Sequence, residues 1–230
     1  LGSLLGSLGS LLEAVGALLE RSGGVPRRLW SALGASRSTL GGALGHPLEP
    51  WECLVSFVCS ANSNILRISN NVEDISNAFG RPIRLGDQVR NTFPRPGDLA
   101  GVGEQAFRRL GLGFRAKYLA AISTAVADGT VDLFELRESS YQEALEALTN
   151  LPGVGDKVAN CVLLFALDKL DAFPVDVWIE RALSEWYLNG RKLSRRAMRL
   201  WARDHFGPYA GYANHYLFHD RRLKGRKASA

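Results

Sequence analysis

From residue 51 onward, apolar positions recur at helical spacing almost without interruption. Residues 51–61 form an apolar helix. Residues 64–79 form an amphipathic one, with Ile65, Ile68, Val72, Ile75 and Phe79 on a single face. Residues 81–98 hold three prolines and read as loop, with Asp98 the cap of a short helix. Further helices are predicted over 104–110, 114–128 (Tyr118, Ala121, Ile122 and Ala125 inward), 133–137, 140–148, 157–167, 176–188, 194–206 and 208–223. The best extended stretch is 172–175, where Pro174 disfavours helix in the residue before it. The pattern predicts an all-α fold.

Before residue 48 the pattern weakens. Residues 1–22 carry leucines at helical spacing but are diluted by glycine, and 26–46 alternate helix and loop up to Pro47 and Pro50. A boundary is therefore expected near 47: an N-terminal Gly/Leu-rich segment, 1–47, and a core, 48–230, ending in a basic tail. The opening apolar run is only 12 residues long before Glu13 and is broken by glycines. It is too short to span a membrane and lacks the basic start of a secretory signal. An intracellular, reducing location (cytoplasm or nucleoid), with no membrane association, is expected.

Charge sharpens this reading. The 230 residues include 28 Lys+Arg against 23 Asp+Glu, a net charge of +5, which suits a polyanionic partner without requiring one. Arg191, Lys192, Arg195, Arg196, Arg199 and Arg203 crowd one stretch. They read either as a solvated helix face or as part of a nucleic-acid footprint. The 3 cysteines (Cys53, Cys59, Cys161) have no paired spacing, which argues against a disulfide framework and excludes a four-cysteine iron–sulfur cluster from this chain alone. The histidines show no zinc spacing, and no catalytic metal or other cofactor is predicted.

The chemistry concentrates in Leu151-Pro152-Gly153-Val154-Gly155-Asp156-Lys157 and, further on, Asp176. Two glycines in a reversal between helices let the backbone approach a ligand. The amides that open the second helix suit a phosphate, so Gly153, Gly155 and Val158 are candidate phosphate-binding positions. Carbonyls of the same turn, Thr149, Leu151 and Val154, are candidates for a monovalent or divalent structural cation. Lys157 lies in the first helical turn, where the positive helix end disfavours its protonated form and favours the nucleophilic amine. Asp176 reads as the N-cap of the next helix, or as a carboxylate that stabilises charge developing on a sugar; a capped carboxylate is also a fixed one. Cys161, one turn after Lys157, is a buried small residue or a wall of the lysine pocket. An ordinary helix–turn–helix corner explains the glycines but not the lysine.

Residues 151–176 resemble the helix–hairpin–helix, Gly-Pro-Asp type (HhH-GPD) motif of base-excision DNA glycosylases, and most closely the 8-oxoguanine DNA glycosylase/AP lyase branch. Blocks at 51–79, 110–118, 136–141 and 207–218 are similar to that branch in the same order, so the likeness covers roughly 48–223. It implies two helical lobes flanking an active-site cleft, with the hairpin at 148–167. It also implies a monomer that acts on double-stranded DNA containing an oxidised base. Full-length eukaryotic members carry an N-terminal β domain that this chain lacks a pattern for, so the expectation is a short form.

The resemblance assigns roles. Lys157 would attack C1′ and form a Schiff base, with Asp176 as its electrostatic and acid/base partner. Cys161 and Phe218 would flank the flipped base, and Asn214, where the family usually has glutamine, would face its pairing edge. Asn62, Ser63 and Asn64 would fill the gap left in the duplex, Arg67 and Arg115 would read the orphaned cytosine, and Phe114 would wedge the kinked strands. Trp178 stands where a phosphate-touching histidine is common. The implied activity removes 8-oxoguanine opposite cytosine and nicks the strand by β-elimination. The alternatives are a same-fold glycosylase for another oxidised or alkylated base, and a helix–hairpin–helix module that only binds DNA.

Overall fold

A computed structural model describes residues 49–85 and 88–227. The expectations for 1–47, including the absent β domain, lie outside the described residues. Helices dominate, as the apolar spacing predicts. The chain divides into two compact units, one ending at Thr124 and one beginning at Ala125.

The first unit starts with α1 (Pro50–Cys59), where Pro50 occupies the first turn and the Glu49 carboxylate accepts from the Glu52 amide at 2.7 Å. Its Trp51, Leu54, Val55 and Val58 are almost fully buried. The Trp51 indole donates to the Pro94 carbonyl at 3.0 Å, which ties a distant loop to this helix. In α2 (Ile65–Phe79) the inward face carries Ile75 and the buried polar residues Asn71 and Ser76.

The loop expected over 81–98 is instead largely an antiparallel hairpin, β1 (Pro82–Leu85) and β2 (Gln88–Asn91), pairing Ile83 with Arg90 and Arg84 with Val89. Pro82 is the first strand residue, a position that tolerates proline. Ile83 and Val89 are 52% and 56% exposed, so the strands carry no alternating buried pattern for a sequence reading to find. Helices α3 (Pro96–Ala100) and α4 (Gly103–Arg109) follow. Asp98 caps α3 from its third position: its carboxylate accepts from the amide of the N-cap residue, Arg95, at 3.0 Å. A 3₁₀ turn, Gly113–Arg115, precedes α5 (Ala116–Ala127). Its buried residues are Ala116, Leu119, Ile122 and Ser123, while Ala121 is exposed, contrary to the predicted face.

The second unit contains α6 (Glu135–Glu138), α7 (Tyr141–Thr149), α8 (Asp156–Ala166), α9 (Val177–Trp186), α10 (Arg195–Phe206), a 3₁₀ turn (Gly207–Tyr209) and α11 (Ala210–Lys227). Ser140 and Glu143 form a reciprocal capping box at the start of α7. Phe173, Val175, Ile179, Leu183, Met198 and Ala202 form a common core. Residues 172–175 are buried and join no strand. Gly211 lets α11 start against this segment: a Cβ there would lie 2.1 Å from Leu164 Cδ1 and 2.8 Å from the Leu170 carbonyl oxygen.

Candidate active site

The hairpin between α7 and α8 is built on buried Leu151 and Val154, with the Val154 amide donating to the Leu151 carbonyl at 3.1 Å. Its two glycines differ. Gly153 has φ 78°, a left-handed conformation that glycine adopts freely. Gly155, the N-cap of α8, has φ −89° and ψ 176°, which any residue can adopt, and it supplies no side chain to the amides that follow. The steric expectation therefore holds only for Gly153. Val158 is buried and walls the base of the first turn.

Lys157 is half-buried in that turn. Its side chain is hydrogen-bonded to Cys161, one turn on, and Cys161 feels the charges of both Lys157 and Asp176. Burial pushes the Cys161 thiol up to about 11; the lysine pulls it down and the aspartate raises it further. Cys161 is thus within electrostatic reach of both the lysine and the carboxylate. Asp176 is the N-cap of α9, with Oδ1 accepting from the amides of Trp178 and Ile179 at 2.9 Å each. Both bonds use one oxygen, so the cap fixes the carboxylate and leaves Oδ2 outside it. Trp178 itself is 38% exposed, with the Arg181 guanidinium 5.8 Å from its ring.

Asn214 is buried in α11, and its amide nitrogen donates to the Pro174 carbonyl at 2.8 Å, two residues before Asp176. Phe218, one turn later, is half-buried and packs against the core cluster that includes Phe173 and Val175.

The second predicted set gathers in the first unit. Asn62 is exposed in a left-handed conformation, φ 49°. Ser63 is half-buried, and Asn64 caps α2 by accepting from the Arg67 amide at 3.0 Å. Arg67 is exposed and reaches the Gly111 carbonyl at 3.3 Å. Phe114 is 45% exposed. Arg115 differs from Arg67: it is buried, and its guanidinium donates to the carbonyls of Ala61 (2.5 and 2.8 Å), Asn62 (2.9 Å) and Leu112 (3.3 Å). It clamps the loop that presents Asn62.

A further group escaped the sequence reading. Arg199 is buried and forms a two-point ion pair with Asp156 (Nη2–Oδ1 2.9 Å, Nε–Oδ2 3.2 Å). Its Nη1 donates to the Tyr141 hydroxyl at 2.8 Å, which donates to Asn160 Oδ1 at 2.8 Å. Asn160 Nδ2 returns to the Asp156 carbonyl at 2.8 Å and closes a ring. Burial pushes the Tyr141 hydroxyl up against the pull of Arg199 and Arg203, so it stays protonated and can donate. The Arg203 guanidinium lies 3.6 Å from the Tyr141 ring and is ion-paired with Asp171. Arg195 pairs with Glu180. Two of the six basic residues of the run, Arg199 and Arg203, are therefore turned to internal partners, while the Arg195 pair stays at the surface. The available signal was the helical phase: Arg199 and Arg203 share a face with Met198 and Ala202, both buried. Among the described residues, no group of three or more His, Cys, Asp or Glu could hold a metal ion, and no helix is long and apolar enough to cross a membrane.

The model of the HhH-GPD superfamily of base excision DNA repair proteins matches residues 55–203. The probable N-glycosylase/DNA lyase of Methanothermobacter thermautotrophicus is 34% identical over 196 residues, covering 77% of this chain and 62% of that protein. The N-glycosylase/DNA lyase OGG1 of Arabidopsis thaliana is 37% identical over 183 residues, covering 74% and 49%. The 8-oxoguanine glycosylase/lyase of Clostridium acetobutylicum, solved with double-stranded DNA containing cytosine opposite 8-oxoguanine, aligns with TM-score 0.75 at 32% identity, covering 78% and 61%. The chain thus spans between about half and three fifths of the length of these relatives. With the family match extending over most of the chain, and with the glycine hairpin, lysine and capped aspartate in place, this protein belongs to the HhH-GPD superfamily of base excision DNA repair proteins.

Proposed function

We propose that this chain is a bifunctional DNA glycosylase/AP lyase that removes 8-oxoguanine paired with cytosine. The observation that carries this reading is the grouping of Lys157, Cys161 and Asp176 on one hairpin helix and the cap that follows it. An amine and a fixed carboxylate that share a buried thiol as neighbour are equipped for displacement at a sugar carbon. The names of the relatives add weight to the lyase part.

In this mechanism the lesion nucleotide leaves the stack and enters a pocket. Lys157 Nζ forms a bond to C1′ as the bond from C1′ to the base breaks, with the bond electrons and a proton going to the departing base. Ring opening gives an iminium. Loss of a C2′ proton then expels the 3′ phosphate, and hydrolysis returns the free lysine. Asp176 stabilises the positive charge on the sugar. Cys161 and Phe218 flank the base, and Asn214 faces its pairing edge with whatever capacity its bond to Pro174 leaves. Hairpin amides at Gly153, Gly155 and Val158 take a phosphate. On the other strand, Asn62, Ser63 and Asn64 fill the gap, Phe114 wedges, and exposed Arg67 reads the cytosine. Arg115 reaches that base only by leaving its carbonyls.

No redox or metal cofactor takes part in these steps. A structural cation on the carbonyls of Thr149, Leu151 and Val154 fits the turn: Leu151 accepts one hydrogen bond and keeps a second lone pair. The working unit is a monomeric core, 48–230, on double-stranded DNA in the cytoplasm or nucleoid.

Borohydride trapping on duplex DNA with one 8-oxoguanine opposite cytosine is the direct test. A covalent adduct is expected from the parent chain and none from Lys157→Gln. An undiminished adduct from that variant removes the lysine from the mechanism. Excision of thymine glycol but not 8-oxoguanine moves the assignment to a different lesion.

A further inference from the structure

We propose that Arg199 is a positioning residue that cancels the charge of Asp156 at the mouth of the hairpin. This keeps a bare carboxylate away from the DNA phosphate that the amides of α8 receive. The inference rests on the proposed DNA-binding role of the hairpin.

Asp156 stands in an awkward place. It is the first residue of α8, adjacent to Lys157, and its side chain is 40% exposed. A carboxylate there complements the helix dipole but competes with any anion for the same amides, and it repels that anion. The Arg199 side chain, only 6% exposed, engages both carboxylate oxygens from the interior. Two parallel bonds fix the plane of the carboxylate and turn its lone pairs inward. The ring through Tyr141 and Asn160 then returns to the Asp156 backbone carbonyl, so side chain and main chain of one residue are held by one circuit. A buried guanidinium has a desolvation cost that surface packing does not require. A buried countercharge at this position follows if the site must stay near neutral for a polyanion.

A single charge roughly two hydrogen-bond lengths from a phosphate, at an effective dielectric between that of water and that of a protein surface, changes affinity on the order of three- to tenfold. The test uses the full chain and a duplex bearing a tetrahydrofuran abasic analogue opposite cytosine, with affinity read by fluorescence anisotropy at several salt concentrations. Arg199→Met is expected to bind on the order of three- to tenfold more weakly at low salt, with the deficit shrinking as salt rises. Asp156→Asn/Arg199→Met removes both charges and is expected to return to within about twofold of the parent. Asp156→Asn alone leaves the arginine in place and is expected to bind at least as tightly as the parent, which keeps the idea testable if Arg199→Met does not fold. A double variant no better than Arg199→Met, or a loss of affinity in Asp156→Asn, reduces the ring to packing and overturns the proposal. If the parent chain itself does not bind the duplex, the fault lies with the proposed function.

Discussion

The N-cap role of Asp176 can be separated from its proposed catalytic one. Asp176→Asn keeps an oxygen that can accept from the Trp178 and Ile179 amides, both now at 2.9 Å, and removes only the charge. Asn ranks with Asp as an N-cap, so the stability lost is the charge–dipole share, about 0.3–1 kcal/mol. For a chain of this length that is a fall of roughly 1–4 °C in melting temperature. Asp176→Ala removes the cap as well, at about 1–2 kcal/mol more, for a total fall of roughly 3–12 °C. Catalysis should rank differently: both variants lose the carboxylate, so single-turnover base release should be slow in both, while binding to the abasic duplex changes little. The measurement is a pair of melting curves beside quench-flow base release at saturating enzyme. An Asn variant that melts as low as the Ala variant, or that releases base at the parent rate, would refute the division of labour.

Two further outcomes follow from packing and burial. Gly211→Ala should cost about 1–3 kcal/mol, because the new methyl meets Leu164 and the Leu170 carbonyl at sub-contact distance; a melting temperature within a degree of the parent would show that α11 shifts freely. Burial pushes Cys59 up to about 12 and Cys161 up to about 11, from 9.0. A raised thiol pKa means the unfolded chain ionises first. The stability is therefore intact below pH 9 and falls as pH climbs through 11 to 12. For each thiol the loss is about 1.4 kcal/mol per pH step between its unfolded and folded values. Cys59→Ala should flatten the fall of melting temperature between pH 8.5 and 11; an unchanged slope would remove that cysteine from the account.

The helices were legible because their cores follow one period. Ile75 in α2 and Val158, Cys161 and Val162 in α8 are buried where the spacing puts them. Three misreadings have distinct physical causes. In the hairpin strands the described side chains from Pro82 to Arg84 and at Val89 and Arg90 are exposed, so they lack the alternation that marks a strand. The buried stripe of α5 runs through Ala116, Leu119, Ile122 and Ser123, and in a helix so rich in alanine the small residues do not mark which side is inward, so Ala121 was placed on the wrong one. Arg199 was counted with its exposed neighbours because composition records charge and not direction; only the tertiary partner, Asp156, 43 positions away, turns it inward. At the site, Lys157, Asp176 and the asparagine run were visible as residues. The clamp of Arg115 on Ala61 and Asn62, and the bond from Asn214 to Pro174, depend on contacts between distant segments that no local pattern encodes.

Gly155 carries a consequence for how this protein trades durability against use. Its backbone angles do not call for glycine, and a methyl built there would touch nothing within 4 Å. The opposite end of α8 is well closed: the Arg137 guanidinium takes the Ala166 carbonyl at 2.8 Å. One end of the helix is finished by the protein, and the other is left for a visitor. A serine or aspartate at 155 would complete the cap and harden the apo protein by roughly a few tenths of a kcal/mol. It would also fill the space and the amides that a phosphate needs. On the proposed function, the chain forgoes that stability, and a bound duplex would supply the missing end of the helix.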